Sequence, residues 1–262
     1  MEHLNVPCVK RAFKDRALLE DERVLHNLLA LEEHYLPSPS YFRCVQKSVK
    51  PWMRIQVVQW MLDVCQEQRS EQEVFPLAIN LLDRYLSLEN ITCTHLQLLG
   101  AASLFIASKL KNTNPMTAEN LVEYTDNGIH LQDLLQMEFN MMCALDWDIS
   151  AITPHDFLQQ ILSRLPLEPE EEYIIMRHSQ SLIAISYATE FHFALYPPSM
   201  IAAACVGAAA NSLHDREWVQ SVHLLDKLQE ITTIRSDCLQ ECQQQIEEAL
   251  SEHLPHLRED SS

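Results

Sequence analysis

Glycine is almost absent from this chain, with 3 residues in 262, and this scarcity limits the folds it can adopt. Globular proteins usually contain roughly 7% glycine. Glycine supplies the positive-φ positions of tight hairpin turns and the close backbone approach of phosphate-binding loops. Because Gly100, Gly128 and Gly207 stand far apart, neither a G-x-G-x-x-G fingerprint nor a Walker loop occurs. The sequence therefore predicts an all-α fold and argues against the common nucleotide-binding enzymes.

Helical periodicity covers most of the chain, and the twelve prolines fall mostly between the periodic segments. An amphipathic segment is predicted over 18–35. Further helices are predicted over 41–67, 73–88, 93–111, 117–124 and 131–146. The TPHD stretch at 153–156 interrupts the pattern, and five more helices are predicted over 155–164, 170–188, 198–213, 217–230 and 235–253. This division indicates two similar five-helix bundles.

Two segments rich in alanine and other small residues support the idea of two copies. HLQLLGAASLFIASKL (95–110) and PSMIAAACVGAAANSL (198–213) are apolar on every side. A helix that is apolar all round belongs at the centre of a bundle. When the two segments are superposed, Lys109 meets Ser212, so only the first copy carries a cation there.

Composition argues against several classes of function. A formal net charge of −18 with scattered basic residues does not favour a nucleic-acid binder. No membrane span or secretory signal is expected from the apolar runs. The eight cysteines form no C-x-x-C pair, which is typical of reduced thiols in an intracellular protein. Cys238 and Cys242 lack a second pair nearby, so neither a metal site nor a cofactor is expected.

Residues 52–67 (WMRIQVVQWMLDVCQE) carry two apolar arcs on a helical wheel. The first arc contains Ile55, Val58, Met61, Leu62 and Cys65. The second contains Met53, Val57, Trp60 and Val64. Two interpretations stay open: either the helix is covered on both sides, or Met53, Val57 and Trp60 form the floor of an exposed groove for a partner.

Four charged residues have apolar helical neighbours: Arg54, Asp83, Lys109 and Glu138. Charges in such surroundings rarely occur without partners. The pattern therefore predicts two ion pairs, Arg54–Asp83 and Lys109–Glu138. The helix macrodipole would also favour a lysine such as Lys109 or Lys111 in the last helical turn. Periodicity leaves open whether the pairs are structural or functional.

At this point the sequence resembles a known family. MRIQVVQWMLDVCQE resembles the first-helix signature of the cyclin box in the form carried by D-type cyclins. Further matching segments follow in the family's order: FPLAINLLDRYLSL, LQLLGAASLFIASKLK, PMTAENLVEYTDN, LLQMEFNMMCALDWDI and TPHDFL. The resemblance covers about residues 18–250. It implies an N-terminal segment (1–40), two five-helix cyclin boxes (41–151 and 152–253) and a short tail (254–262).

The resemblance also implies roles for individual residues. Lys109 and Glu138 match the family's contacts to the kinase next to its regulatory helix, with Leu110 and Lys111 beside them. Arg54 and Asp83 match a buried structural pair. Residues that match the docking groove for R-x-L motifs are Met53, Val57 and Trp60, with Asp63 and Gln97 at its rim.

The function implied by the resemblance is regulatory and not enzymatic. The chain is expected to bind and activate a cyclin-dependent kinase, most closely of the four/six class. Expected substrates are retinoblastoma-family proteins, and R-x-L-containing substrates and inhibitors are further expected partners. The expected result is progression from first gap to S phase, in the nucleus and cytoplasm. Nucleic acid and membrane are not expected as partners.

Two departures from the family pattern affect these expectations. D-type cyclins usually carry L-x-C-x-E near the start, whereas this chain reads LNVPCVK without the glutamate. Docking to the retinoblastoma pocket is therefore not expected by that route. The family also usually has a C-terminal tail with a regulatory threonine, whereas this sequence ends at SEHLPHLREDSS, through loss of the tail or truncation.

Two other functional classes are alternatives for an all-α chain of this kind. The two-repeat cyclin fold also occurs in transcription factors that bind DNA, but the net charge of −18 argues against that function. An all-α metal-dependent enzyme would need a cluster such as D-D-x-x-D or H-E-x-x-H, and the sequence has neither.

Overall fold

The computed structural model describes residues 15–213 and 223–259. Within these ranges the chain forms thirteen α-helices and no strand, which confirms the all-α prediction. Among the same residues, no helix is both long enough and apolar enough to cross a lipid bilayer. The segment near residue 8, where the chain departs from the L-x-C-x-E motif, lies outside the described residues.

The N-terminal segment consists of short helices where one helix over 18–35 was predicted. It contains α1 (Arg16–Glu20), α2 (Glu22–Leu31), a 3-10 turn (Glu32–Tyr35) and α3 (Tyr41–Cys44). The break lies at Asp21, whose carboxylate accepts from the Arg23 amide at 2.9 Å and caps α2. An aspartate competes well for backbone amides at a helix start, so a new helix begins there.

The first bundle contains α4 (Pro51–Glu67), α5 (Val74–Leu88), α6 (Leu96–Lys111), α7 (Ala118–Glu123) and α8 (Leu131–Ala144). The single helix predicted over 41–67 is wrong, because residues 45–50 separate α3 from α4. Proline disfavours helical geometry at the preceding residue, and Lys50 is accordingly extended before Pro51. A 3-10 turn (Cys93–His95) precedes α6.

The second bundle contains α9 (Pro154–Leu162), α10 (Pro169–Thr189), α11 (Pro198–Leu213), α12 (Leu224–Thr232) and α13 (Ser236–Glu259). A 3-10 turn (Phe191–Leu195) joins α10 to α11. The helix predicted over 217–230 lies partly outside the described residues. The helix predicted to end at 253 continues to Glu259, which takes it through most of the expected tail at 254–262.

The two alanine-rich helices, α6 and α11, occupy the centres of their bundles. Helices α4, α5, α7 and α8 pack around α6, while α9, α10, α12 and α13 pack around α11. Nearly every α6 residue before Lys109, and every α11 residue from Ile201 to Ala210, is buried. Small side chains permit this close packing from all directions.

The bundles contact each other directly and through the N-terminal segment. Helix α10 of the second bundle packs against α4 and α5 of the first. In the N-terminal segment, the Tyr35 carbonyl accepts from Asn80 Nδ2 on α5 at 2.7 Å. Buried Glu32 accepts from both the amide and the hydroxyl of Ser199 on α11, each at 2.7 Å. One short segment therefore bonds to both bundles.

Candidate interaction surfaces

Arg54 and Asp83 form an ion pair with no solvent exposure, between α4 and α5. Arg54 Nη2 lies 2.7 Å from Asp83 Oδ2, and Arg54 Nε donates to Asp83 Oδ1 at 3.1 Å. The Tyr41 hydroxyl donates to Asp83 Oδ1 at 2.9 Å. Burial disfavours the charged guanidinium, but the adjacent Asp83 carboxylate outweighs that effect, so the pKa of Arg54 is raised. The predicted pairing is therefore present, with a tyrosine added.

The same arginine also joins the two bundles. Arg54 Nη1 donates to the carbonyl of Tyr187 on α10 at 3.1 Å. The guanidinium carbon lies 5.4 Å from the centre of the Phe191 ring, in the turn after α10. Burial and the Asp83 charge raise the pKa of Tyr41, so its hydroxyl stays protonated and keeps donating. The cluster is structural, and it belongs to the interface between bundles as well as to the first bundle.

Lys109 and Glu138 are also brought together, but at the surface. Lys109 Nζ forms an ion pair with Glu138 Oε1 and lies 3.6 Å from the centre of the Phe105 ring. The side chain of Lys109 is 41% exposed and that of Glu138 is 13% exposed. The expectation that this pair resembles Arg54–Asp83 in its surroundings is wrong, because Lys109 at the end of α6 is partly open to solvent, whereas neither side chain of the Arg54–Asp83 pair is exposed.

Large apolar side chains surround this pair and remain open to solvent. Leu110 is 45%, Leu135 45% and Phe139 52% exposed. We call the surface formed by Lys109, Leu110, Leu135, Glu138 and Phe139 the α6–α8 surface. The apolar spacing of Leu131, Leu135 and Phe139 at i, i+4 and i+8 signals a second apolar face on α8, which sequence reasoning missed.

Lys111 lies elsewhere, at the junction between the bundles. Its Nζ is 3.9 Å from Asp156 Oδ1 on α9, and its side chain is 23% exposed. Burial raises the pKa of nearby Glu73, and the Lys111 charge opposes that shift. Next to Asp156, buried His155 has a pKa lowered to about 4 by burial and then by the Lys111 charge. Lys111 thus has a local structural role that the sequence did not predict.

A groove of about 460 Å³ runs along α4. Of the predicted groove residues, Met53, Val57, Trp60 and Gln97 line it together. The three apolar ones are partly buried, and Trp60 Nε1 donates to the Tyr124 carbonyl at 3.1 Å, which fixes the indole. This geometry favours the groove interpretation of the second arc, although Val64 of that arc is core. Asp63 is exposed on α4 but is not among the lining residues.

The groove lining also includes residues outside the predicted set. Trp52 lines it and is 57% exposed, and Gln56 and Leu96 also contribute. Cys93 and Thr94, in the turn before α6, also line it. We call the whole concavity the α4 groove. The exposure of a tryptophan in the first turn of a helix cannot be read from periodicity, because it depends on which segments pack nearby.

Comparison with known protein families shows which domains the chain contains. The cyclin N-terminal domain matches residues 23–150, and the cyclin C-terminal domain matches residues 152–260. The chain belongs to the cyclin family.

Its relatives identify the branch of cyclins to which it is similar. The chain is 50% identical to G1/S-specific cyclin-D2 of Gallus gallus over 254 residues, which cover 96% of this chain and 87% of the relative. It is 46% identical to G1/S-specific cyclin-D1 of Danio rerio over 261 residues, covering 97% and 89%. The resemblance to D-type cyclins drawn from the residues is confirmed.

Solved structures agree with the fold of this cyclin. A viral cyclin from herpesvirus saimiri superposes with a TM-score of 0.75 at 26% identity, covering 88% of this chain and 100% of that one. A chain of the CAK complex of Chaetomium thermophilum superposes with a TM-score of 0.55 at 16% identity, covering 94% and 78%. The second similarity concerns the fold alone.

Proposed function

We propose that this cyclin is a non-catalytic regulatory subunit that binds and activates a cyclin-dependent kinase of the four/six class. The α6–α8 surface carries the proposal. It exposes three large apolar side chains around a lysine on a chain whose net charge is −18. Exposed apolar patches of this kind mark interaction sites in soluble proteins. A cation within an apolar patch is suited to backbone carbonyls at the end of a kinase helix.

Activation of this kind is a shift in population. A kinase whose regulatory helix occupies the active position 1% of the time needs about 5.5 kcal/mol of differential binding to reach 99%. The α6–α8 surface is built on two helices packed against a rigid core, so it can hold a mobile helix at little cost in ordering its own residues. The proposed products are phosphorylated retinoblastoma-family proteins, which would lead to S-phase entry.

The proposal is tested by reversing the charge of Lys109. We expect Lys109→Glu to fold normally, because that side chain is 41% exposed. The new carboxylate would repel Glu138 and could not donate to kinase carbonyls. Interface charges that lose their partners typically cost about 2–5 kcal/mol in binding. Kinase activation should therefore fall by roughly 30-fold to several thousand-fold, measured with a retinoblastoma fragment and purified kinase.

Lys111→Gln is the matched control. It removes a neighbouring cation without placing a third carboxylate beside Asp156 and Glu73. We expect near-parent activation by this variant. Equal losses for the two variants would indicate general electrostatic attraction, and unfolding of Lys109→Glu would make that lysine structural. Either outcome contradicts an interface role for Lys109.

We also propose that the α4 groove binds R-x-L motifs of substrates and inhibitors. Trp60→Ala should weaken capture of an R-x-L peptide by about 30-fold, the loss typical of an interface hot spot. Kinase binding should persist, because the α6–α8 surface lies on other helices. Trp147→Ala is the control, since Trp147 is 60% exposed outside the groove lining. Parallel loss of peptide and kinase binding by Trp60→Ala would show that this indole is only core.

The expected location, in the nucleus and the cytoplasm, is part of the proposal. A D-type cyclin must meet both its kinase and nuclear retinoblastoma-family substrates to act as proposed. Fractionation of cells that express the tagged chain, with the kinase followed in the same fractions, tests this directly. If the cyclin does not co-fractionate with a kinase in either the nuclear or the cytoplasmic fraction, the proposal is contradicted.

A further inference from the structure

The chain itself contains the motif that its α4 groove is proposed to bind. Three triplets in the sequence read R-x-L: Arg16-Ala17-Leu18, Arg23-Val24-Leu25 and Arg84-Tyr85-Leu86. We infer that the first triplet docks in the α4 groove of a second copy of this chain. The inference rests on the proposed R-x-L function of the groove, and it names one further partner for that groove, the cyclin itself.

Burial distinguishes the three triplets. Leu18 is 55% exposed on α1, whereas Leu25 is 6% and Leu86 0% exposed. The leucine supplies the apolar contact of the motif, and a leucine buried in the core cannot enter a groove unless that core opens. Of the three triplets, the one at residues 16–18 is therefore the one that the folded chain presents.

Helix α1, which carries this triplet, is a weakly held element. It has five residues, far fewer than the roughly 12–15 below which isolated helices are marginal in water. Asp15 accepts from the Ala17 amide at 2.9 Å, and the Leu18 carbonyl accepts from Gln160 Nε2 on α9 at 2.9 Å. Opening α1 exchanges these bonds for bonds to water. The loss of the Gln160 bond limits the affinity of self-docking but does not prevent it.

The spacing of the motif requires that α1 open. On an α-helix, positions i and i+2 lie about 200° apart, whereas on an extended chain they share one face. Arg16 and Leu18 therefore cannot both contact one groove while residues 16–20 are helical. Self-docking thus replaces a single helical turn by an extended segment.

The groove suits both ends of the triplet. Met53, Val57 and Trp60 line it and offer the leucine an apolar floor, and Asp63 lies on the exposed part of α4 beyond Trp60. A bound arginine is favoured near that carboxylate. Two copies with a formal net charge of −18 each also repel one another, so we expect self-association to be weak and to depend on concentration.

The short connection between the triplet and α2 favours a second copy over the chain's own groove. Leu18 is four residues from Glu22, and four extended residues span at most about 14 Å. Glu22 Oε1 lies 3.4 Å from Arg164 Nη2 on α9. Glu22 also lines a cleft with Glu230 and Ile231 of α12. The start of α2 is thus next to helices of the second bundle, whereas the groove lies on α4 and α6 of the first.

Self-docking would make one contact between two different surfaces. A motif on one copy meets a groove on another, so each pair still has one unused motif and one unused groove. A groove that is filled in this way cannot hold an R-x-L substrate. The α6–α8 surface lies on other helices and would stay open, so self-docking would reduce substrate recruitment without blocking the proposed kinase site.

Sedimentation velocity on the purified full chain, over a range of concentrations, tests the inference. We expect the weight-average sedimentation coefficient to rise with concentration. Leu18→Ala should stay monomeric, because it lacks the apolar residue of the motif. Leu31→Ala is the matched control, since Leu31 is 51% exposed at the end of α2 and should leave the association unchanged.

Mixing two defective variants tests both halves of the contact. Leu18→Ala retains the groove and Trp60→Ala retains the motif, so neither should associate alone. Together they should form a complex of one copy each and nothing larger, because they can make one junction only. Met53→Ala is a second groove variant, for use if Trp60→Ala does not fold.

A peptide competition measures the motif directly. A peptide of residues 14–22 should displace a labelled R-x-L peptide from the parent chain, followed by fluorescence anisotropy. The same peptide with Leu18→Ala should compete about 30-fold less well, the loss typical of an interface hot spot.

The outcomes separate this inference from the function on which it rests. If the labelled R-x-L peptide binds but the parent chain stays monomeric, self-docking is overturned and the groove function stands. Association that persists in Leu18→Ala, or that fails to appear in the mixture, also overturns it. If Leu18→Ala binds the labelled peptide more tightly than the parent does in dilute solution, the motif occupies its own groove and docking to a second copy is overturned. If the labelled peptide does not bind the parent chain, the groove function and the inference fail together.

Discussion

Arg54 depends on its protein partners for stabilisation, because its charged side chain has no access to solvent. Three guanidinium nitrogens are satisfied, two by Asp83 and one by the Tyr187 carbonyl. Breaking a buried pair from one side leaves the other charge uncompensated in a medium of low polarity.

Arg54→Ala is therefore expected to destabilise the protein by about 3–5 kcal/mol, because Asp83 would remain buried and unpaired. Denaturant unfolding followed by circular dichroism measures the loss. Arg23→Ala is the control: Arg23 also pairs with an aspartate, but its side chain is 85% exposed, so little change is expected. Similar stability for Arg54→Ala and the parent would contradict the structural role of the pair.

At the residue scale, helical periodicity shows which residues lie beside a charged side chain on its own helix, but not which residues of distant segments contact it. An arginine within an apolar pattern predicts a partner, and Asp83 could be inferred as that partner. Tyr187, 133 positions away, could not be inferred. Periodicity also placed Lys109 and Arg54 in similar surroundings, although one is 41% exposed and the other buried. An apolar face looks the same in sequence whether a core or a partner covers it.

At the scale of helices, the two central helices differ in how well they would accommodate a Cβ atom at their glycines. A Cβ on Gly100 of α6 would lie 2.8 Å from Val57 Cγ1 and 3.3 Å from Met61 Sδ. Val57 is β-branched and stiff, and its helix forms the groove. A Cβ on Gly207 of α11 would lie 2.6 Å from Gln243 Oε1, the far end of a flexible side chain.

We therefore expect Gly100→Ala to cost about 1–2 kcal/mol, since overpacking outweighs the gain in helix propensity. Because Val57 forms part of the groove floor, R-x-L peptide affinity should fall as well. Gly207→Ala should be neutral or slightly stabilising. Thermal melts measure the stability of both variants, and peptide titrations measure their R-x-L affinity. Parent-like stability and affinity of Gly100→Ala would mean that α4 and α6 can move apart enough to accept the extra methyl group.

Helix identity was largely predictable, whereas periodicity alone missed helix ends that a capping residue or a proline sets. Asp21 and Pro51 each divide what periodicity alone showed as one helix. The spacing of Met53, Val57 and Trp60 predicted one apolar face but left open whether the core or a partner covers it. Its extension to Trp52 depends on the Cys93–Thr94 turn packing nearby, which local pattern does not contain.

For the molecule as a whole, the junction between the bundles contains a buried titratable group. His155 is 8% exposed, and neither ring nitrogen has a hydrogen-bond partner within the described part of the chain. Burial, and then the Lys111 charge, lower its pKa to about 4. Asp156 and Glu73 are the carboxylates near the same lysine.

Stability should consequently fall as the pH falls from about 6.5 to about 4. In that range the histidine binds a proton in the unfolded chain but not in the folded one. The free energy of unfolding should therefore fall by roughly 3 kcal/mol, at about 1.4 kcal/mol per pKa unit. His155→Leu should flatten this part of the stability profile, whereas exposed His178→Leu should not. An unchanged slope in His155→Leu would show that carboxylates alone set the acid sensitivity.

The bond from Arg54 to the Tyr187 carbonyl also bears on how the chain is made. The two residues are 133 positions apart. At 5–20 residues per second, a ribosome adds Tyr187 about 7–27 s after Arg54. During that interval the nascent first bundle can supply Asp83 but not the carbonyl that completes the arginine's surroundings. We therefore expect the first bundle of the nascent chain to reach its full stability only after α10 has emerged and packed against it.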